Sequence, residues 1–141
     1  MNVDQWLESL RAAWLEQDAA GVSRLFAEDA DYRQGPFGTP RRGRAEIAAH
    51  WKETLSHQEE QSVRFGRPLV AGDRAAVEFW VVARDPDSGE QRTAAGCVML
   101  RFDAAGRCAE LHEYWHGTPG AVEPAFAQLR AGAVGREGGT S

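Results

Sequence analysis

This sequence of 141 residues contains no apolar run long enough to span a membrane. It has two cysteines, Cys97 and Cys108, too few for a disulfide framework. In a reducing compartment they would stay thiols. Basic residues are in deficit, with 16 Lys and Arg against 21 Asp and Glu and a net charge of −5. That balance, with a pI near 5.4, excludes the basic footprint that nucleic acid requires and argues against an anionic membrane surface. The start, Met1-Asn2-Val3-Asp4, lacks the basic-then-apolar pattern of a secretory signal. The expectation is a soluble, cytoplasmic chain. Phosphate-binding glycine loops, a G-x-S-x-G elbow and recognisably spaced Cys–His pairs are all missing. So are internal repeats.

One motif is present and misleading. His112-Glu113-Tyr114-Trp115-His116 matches H-E-x-x-H, a zinc-protease signature. The signature needs a helix, where positions i and i+4 share a face and reach one metal. Here the flanks favour a strand. Residues 103–106 form a turn, Tyr and Trp prefer strands, and Gly117 and Pro119 follow. On a strand the two histidines would sit ~13 Å apart on one face, too far to share zinc. No third ligand stands nearby, so neither a metal nor a cofactor is expected.

What the chain does have is apolar patterning, with 43% hydrophobic residues and five tryptophans. Val3, Trp6, Leu7, Leu10 and Trp14 make one helical stripe. Asp18 can cap a short second helix with Val22, Leu25 and Phe26 inward. A short strand over 30–34 ends at Gly35-Pro36, and a third helix over about 44–56 carries Ile47, Ala48, Trp51 and Leu55 on one face. The period then changes to alternation. Strands are expected around Val63 and Phe65, over 75–84, over 91–102 and over 107–116, with Asp85-Pro86-Asp87-Ser88-Gly89 as a turn. Strands following helices imply an α+β domain over 1–131, with helices on one face of an antiparallel sheet. A short helix is possible within 121–131, and the glycine-rich 132–141 reads as a disordered tail.

Several strings fit a known pattern in order and spacing: Leu25-Phe26-Ala27-Glu28-Asp29-Ala30, the Pro36 loop, Arg42-Gly43-Arg44-x-x-Ile47, and Gly106-Arg107-Cys108 leading to Glu113-Tyr114-Trp115. Over residues 3–117 the chain resembles the NTF2-like superfamily in its SnoaL-like branch. The resemblance implies a cone-shaped α+β barrel, a strongly curved antiparallel sheet wrapped around three N-terminal helices, with a deep apolar pocket. The superfamily includes ketosteroid isomerase, polyketide cyclases, epoxide hydrolases and dehydratases, so the fold says where a ligand goes and not what happens to it. Ketosteroid isomerase uses an Asp base and an oxyanion hole of a Tyr and a protonated Asp, a worked case of shifted carboxyl acidity. At the matching places this chain has Gln34 or Gly35, Leu10 and Val98. All three functions are missing.

Strand alternation, combined with that family geometry, selects the pocket wall. Leu111, Glu113 and Trp115 face inward on the last strand, leaving His112 and His116 outside. Tyr32 and Gln34 point in from the first strand, Glu78 and Trp80 from the middle one, and Val98 and Leu100 from the next. Trp14 and Trp51 close the pocket from the helices. Glu113, an acid among apolar residues, is the candidate proton carrier, its pKa raised by desolvation. Tyr32 is the second catalytic candidate, as a donor to a ligand carbonyl. An arginine such as Arg33, Arg42 or Arg44 locking Glu113 into an ion pair is the competing expectation. His50 and His57 receive no role. The expected ligand is an apolar or aromatic small molecule. Val77, Phe79, Val81, Cys97 and Met99 form an apolar outer sheet face whose cover is a second copy, making a homodimer. A ligand carrier or sensor, or an interaction module with a filled pocket, are the rival functions.

Overall fold

The computed structural model describes residues 2–125 and residue 129. Helix α1 (Val3–Leu15) buries Val3, Trp6, Leu7, Leu10 and Trp14, the whole predicted stripe. Asn2 caps it by accepting from the Gln5 N–H. Helix α2 (Ala19–Ser23) starts where the Asp18 carboxylate accepts the Gly21 N–H at 2.9 Å. Strand β1 (Phe26–Gln34) leads through a loop to a two-residue strand, β2 (Arg41–Arg42), and then helix α3 (Gly43–Ser56). Gly43 enters α3 at φ +83, a backbone conformation that side chains with a Cβ resist.

The remaining strands are β3 (Glu59–Phe65), β4 (Leu69–Ala71), β5 (Arg74–Arg84), β6 (Gln91–Phe102) and β7 (Cys108–Pro119). The sheet order is β2-β1-β7-β6-β5-β3, with β4 paired to β5. The sheet is strongly curved, wraps the helices and stays open, with β2 and β3 as its edges. Neighbours are antiparallel apart from β1 and β7, which run parallel. The first strand therefore closes against the last.

Differences from the sequence reading have local causes. β1 begins four residues earlier than expected because its ladder breaks between Phe26 and Asp31, and that irregularity hides the alternation. β2 and β4 are too short to carry a period. β7 continues through Gly117 to Pro119, paired with β6 as far as Arg92. The 121–131 helix falls mostly outside the described residues, and the 132–141 tail falls wholly outside them.

The largest correction concerns the phase of β5. Val77, Phe79 and Val81 are buried, while Glu78 and Trp80 face outward. Both phases of this strand are apolar, so alternation alone does not choose. Pairing does. Val77 lies opposite Val98, which in turn lies opposite Glu113, and directly paired residues share a face. Trp80 uses its outward position structurally, donating its indole N–H to the Val122 carbonyl at 2.8 Å. The apolar outer face inferred from Val77, Phe79 and Val81 thus loses those residues to the core.

Trp6 ties helix α1 to the sheet where β1, β7 and β6 lie side by side. Its ring meets Phe26 and Phe102 edge-on at 5.7 and 5.5 Å, and its N–H donates to the Leu25 carbonyl. Replacing Trp6 with Ala removes this contact set and opens a cavity. Denaturant unfolding should show a loss of about 3–5 kcal/mol.

Candidate functional site

A cavity of about 200 Å³ opens between the helices and the concave face of the sheet. Leu10, Trp14 and Trp51 wall it from α1 and α3, and Phe79, Val98 and Leu111 wall it from the strands. Trp14 stands edge-on to Trp51 at 4.7 Å and donates its N–H to the Gln58 side chain at 2.9 Å. Trp115, 47% exposed, lines the cavity on β7. Gly96 sits directly opposite it, and a Cβ there would fall 1.9 Å from the Tyr114 carbonyl oxygen and 2.6 Å from Trp115 Cα. No side chain fits at position 96 without moving β7.

The polar groups collect at one place. β1 and β7 are paired so that Tyr32 lies beside Leu111 and Gln34 beside Glu113. The Tyr32 hydroxyl donates to Glu113 Oε1 at 2.9 Å, and the Gln34 amide donates to Oε2 at 3.2 Å. Below this, the Gly35 N–H donates to the Glu113 carbonyl at 2.8 Å, pinning the end of β1 to β7. Arginine does not lock the carboxylate among the described residues. Arg33 pairs with Asp31, Arg44 reaches Glu28 and the Phe26 carbonyl, and the Arg42 backbone N–H donates to Glu46. Arg41, paired across from Tyr32 in β2, acts only through its field.

Desolvation pushes the Glu113 pKa up, and the Gln34 and Tyr32 hydrogen bonds and the Arg41 charge pull against it. Tyr32 is raised well above the ordinary phenol value by burial, then by the adjacent Glu113 charge, so it stays a donor. His50, which received no role from the sequence, lines the cavity with its ring 5.2 Å from that of Tyr32. Its position three residues after Ile47 on α3 was the available signal. Burial and the Arg41 charge lower its pKa to about 4, leaving it neutral near pH 7. The buried Trp51 indole N–H has no hydrogen-bond partner among the described residues, although it lies near enough to the Tyr32 oxygen to ease that pKa downward.

Of the residues selected from sequence, Trp14, Tyr32, Gln34, Trp51, Val98, Leu111, Glu113 and Trp115 line this one cavity. Glu78 and Trp80 do not, for the phase reason given above. Leu100 shares the inward face of Val98 but is packed into the core. His112 lies opposite Met99 on the outer face of a strand, so the H-E-x-x-H residues never meet on a helix. Among the described residues, no three His, Cys, Asp or Glu side chains are placed to hold a metal ion. No described helix is long and apolar enough to cross a membrane.

A strongly curved, open sheet around N-terminal helices, with a cavity on its concave face, defines the cone-shaped NTF2-like class. The chain belongs to the SnoaL-like domain family, whose model matches residues 4–111. Among solved structures it is similar to the Δ5-3-ketosteroid isomerase of a Mycobacterium species, with a TM-score of 0.70 and 22% identity over 82% of this chain and 96% of that one. It is also similar to RV0760c of Mycobacterium tuberculosis in complex with estradiol-17β-hemisuccinate, with a TM-score of 0.69 and 18% identity over 80% and 95%. A third is SalBIII, an epoxide hydrolase/cyclase-like enzyme with a role in pyran ring formation in the polyether salinomycin, with a TM-score of 0.67 and 15% identity over 82% and 93%. At these identities the likeness is one of fold. No curated protein matches the chain. Leu10 and Val98, which the resemblance matched to the isomerase's Tyr and protonated Asp, line the cavity, as does Gln34, one of the two residues matched to its base, and none of them ionises.

Two of the shifted groups, His50 and Glu113, give opposite pH slopes. His50 is harder to protonate folded than unfolded, so it makes stability rise with pH between about 4 and the ordinary histidine value. Glu113 is easier to protonate folded, so it makes stability fall as pH rises from the ordinary glutamate value to its raised folded one. Melting temperatures across that range should lose the rising component in His50→Gln and the falling component in Glu113→Gln. The same slope in both variants would contradict the burial of these groups.

Proposed function

We propose that this protein binds an apolar small molecule bearing a carbonyl, epoxide or hydroxyl oxygen in the cavity, and moves a proton on it with Glu113. The observation that carries this reading is a carboxylate without an arginine partner among the described residues, held by Tyr32 and Gln34 on the wall of an otherwise apolar cavity. Each carboxylate oxygen has a second lone-pair site, so the two donors orient Glu113 without exhausting it. Its raised pKa brings it toward the working range of a base at neutral pH. The buried Trp51 N–H makes no full hydrogen bond among the described residues and leans only loosely toward the Tyr32 oxygen, so a ligand oxygen can take it as a donor. As Glu113 takes a proton from the ligand, negative charge moves to the ligand oxygen. Tyr32, no longer held by an anion, becomes free to donate there. Neutral His50 adds no competing charge.

The reaction class is metal-free acid–base chemistry of the isomerase, cyclase, dehydratase or hydrolase kind. Solved structures of this fold include proteins named as an isomerase and as a cyclase-like enzyme, which supports the class and not a substrate. A carrier or sensor is the second reading. It is favoured by one observation: Glu113 already accepts two hydrogen bonds, which lower its basicity. We read the working compartment as the cytoplasm. We also read the outer sheet face as a homodimer contact, now resting on Met99 and Tyr114, which are 46% and 42% exposed.

Indanone in D₂O tests the reading without a known substrate. Its ring system is small enough for the cavity, and NMR follows exchange of its α protons. The protein should accelerate exchange over buffer, and Glu113→Gln should lower the enzymatic rate by about 10²–10⁴ while indanone still binds. Binding without any acceleration leaves the carrier. An acceleration that survives Glu113→Gln removes the role given to this residue.

A further inference from the structure

The inner cavity is small. Its ~200 Å³ falls below the roughly 300–1,000 Å³ of pockets that enclose drug-sized ligands. It adjoins a second chamber of about 340 Å³, and the two share Thr54, Gln58, Val81, Ala94 and Trp115 as walls. The inward face of β6 runs through both. Val98 and Ala94 line the inner cavity, and Arg92, next along that face, lines the outer chamber. Arg92 pairs across from Pro119, as Ala94 does from Gly117. Gly117 leaves room there. A Cβ at that position would meet Trp115 at 3.3 Å and Arg92 Nη2 at 3.4 Å, so the indole and the guanidinium converge over it.

Arg92 is exposed, and its guanidinium makes no hydrogen bond or ion pair with any described residue. The other charged groups of this chamber are engaged. Asp85 Oδ1 accepts the backbone N–H groups of Asp87 and Ser88 at 2.8 and 3.2 Å, and the His57 ring is 2.9 Å from Glu53. Among the described residues the outer chamber therefore offers one cation without a partner, Arg92, beside an aromatic wall and with Asp85 held elsewhere on its rim, and the inner cavity offers apolar walls with an acid at one side.

We propose that the outer chamber is a carboxylate subsite built on Arg92, and that the ligand is an amphipathic monocarboxylate whose apolar body enters the inner cavity. This rests on the small-molecule reading above and specifies its ligand. The orientation follows from charge. An anionic end placed in the inner cavity would be desolvated beside Glu113, whereas beside Arg92 it gains a planar fork of donors suited to a carboxylate. The six residue steps from Val98 to Arg92 span about 20 Å of strand. A chain, rather than a compact acid, is needed to reach both ends.

The test uses phenylbutyrate, phenylhexanoate and phenyloctanoate beside their primary amides, titrated by calorimetry with tryptophan fluorescence in parallel. The carboxylates should bind about two- to fivefold tighter than the amides, the range of an exposed ion pair. The advantage should shrink with added salt. Arg92→Gln should bring each carboxylate to the affinity of its amide, and Arg92→Lys should restore part of the difference. Amides that bind as tightly as carboxylates, or a preference that persists in Arg92→Gln, would overturn the subsite alone. If neither series binds, the small-molecule reading falls and the subsite falls with it.

Discussion

The parallel pairing of β1 with β7 is the constraint on which the rest depends. Every other ladder joins strands running antiparallel, and several of them follow from short turns. The β1–β7 ladder instead joins the first strand to the last, with helix α3 and five strands folded between. It brings the two ends of the strand succession side by side in the curved sheet. It also sets the site, because Tyr32 and Gln34 reach Glu113 across 81 and 79 residues of sequence only when this register is kept. A one-residue slip of β1 would turn Tyr32 and Gln34 to the face opposite Glu113. The Gly35–Glu113 backbone bond holds that register at the rim.

Within the site, burial and hydrogen bonding act in opposite directions on the same carboxylate. Desolvation leads, so Glu113 is raised, but two donors and a distant arginine hold the shift back. An arginine in contact would have favoured the anion and made the group inert near neutral pH. The absence of such a pair among the described residues is a consequence of strand phase. Asp31, on the outer phase of β1, draws Arg33 to itself at 3.2 Å. Glu28 and the Phe26 carbonyl draw Arg44. The arginines that the sequence places near Glu113 are spent on the outside of the first strand.

How much of this was legible depended on whether one periodicity had a single solution. The α1 stripe did, since only one face of that helix is apolar, and all five of its residues are buried. β7 did as well, with Leu111 on one side and His112 on the other, so Glu113 could be assigned to the concave face before any coordinates. β5 did not. Ala76, Trp80 and Val82 on one phase and Val77, Phe79 and Val81 on the other are both plausible core sets, and only the pairing with β6 decides between them. The charge of Glu78 was the one local hint, since carboxylates are rarely buried without a partner. β2 and β4 were illegible because two or three residues carry no period. Arg92 was illegible for another reason: its meaning comes from Gly117 and Trp115 on the neighbouring strand, and spacing along β6 contains none of that.

The comparison with ketosteroid isomerase then takes on a physical sense. The positions that the resemblance matched to the isomerase's ionisable set are Leu10, Val98 and either Gln34 or Gly35, and Leu10, Val98 and Gln34 border the cavity here. A fold that keeps its cavity while its polar groups change must keep each remaining polar group satisfied, because unpaired buried groups cost stability. This chain concentrates polarity where β1, β7 and α3 converge, and Tyr32, Gln34 and Glu113 satisfy one another there. Gln34 is a donor to Glu113. Tyr32, two residues away on the same face, is another. His50 and Trp51 approach from the helix side. The result is one acid with donors around it, in place of a base and an oxyanion hole on separate elements. On the proposed reading the chemistry runs through Glu113, and a ligand oxygen competes with that carboxylate for the same donors.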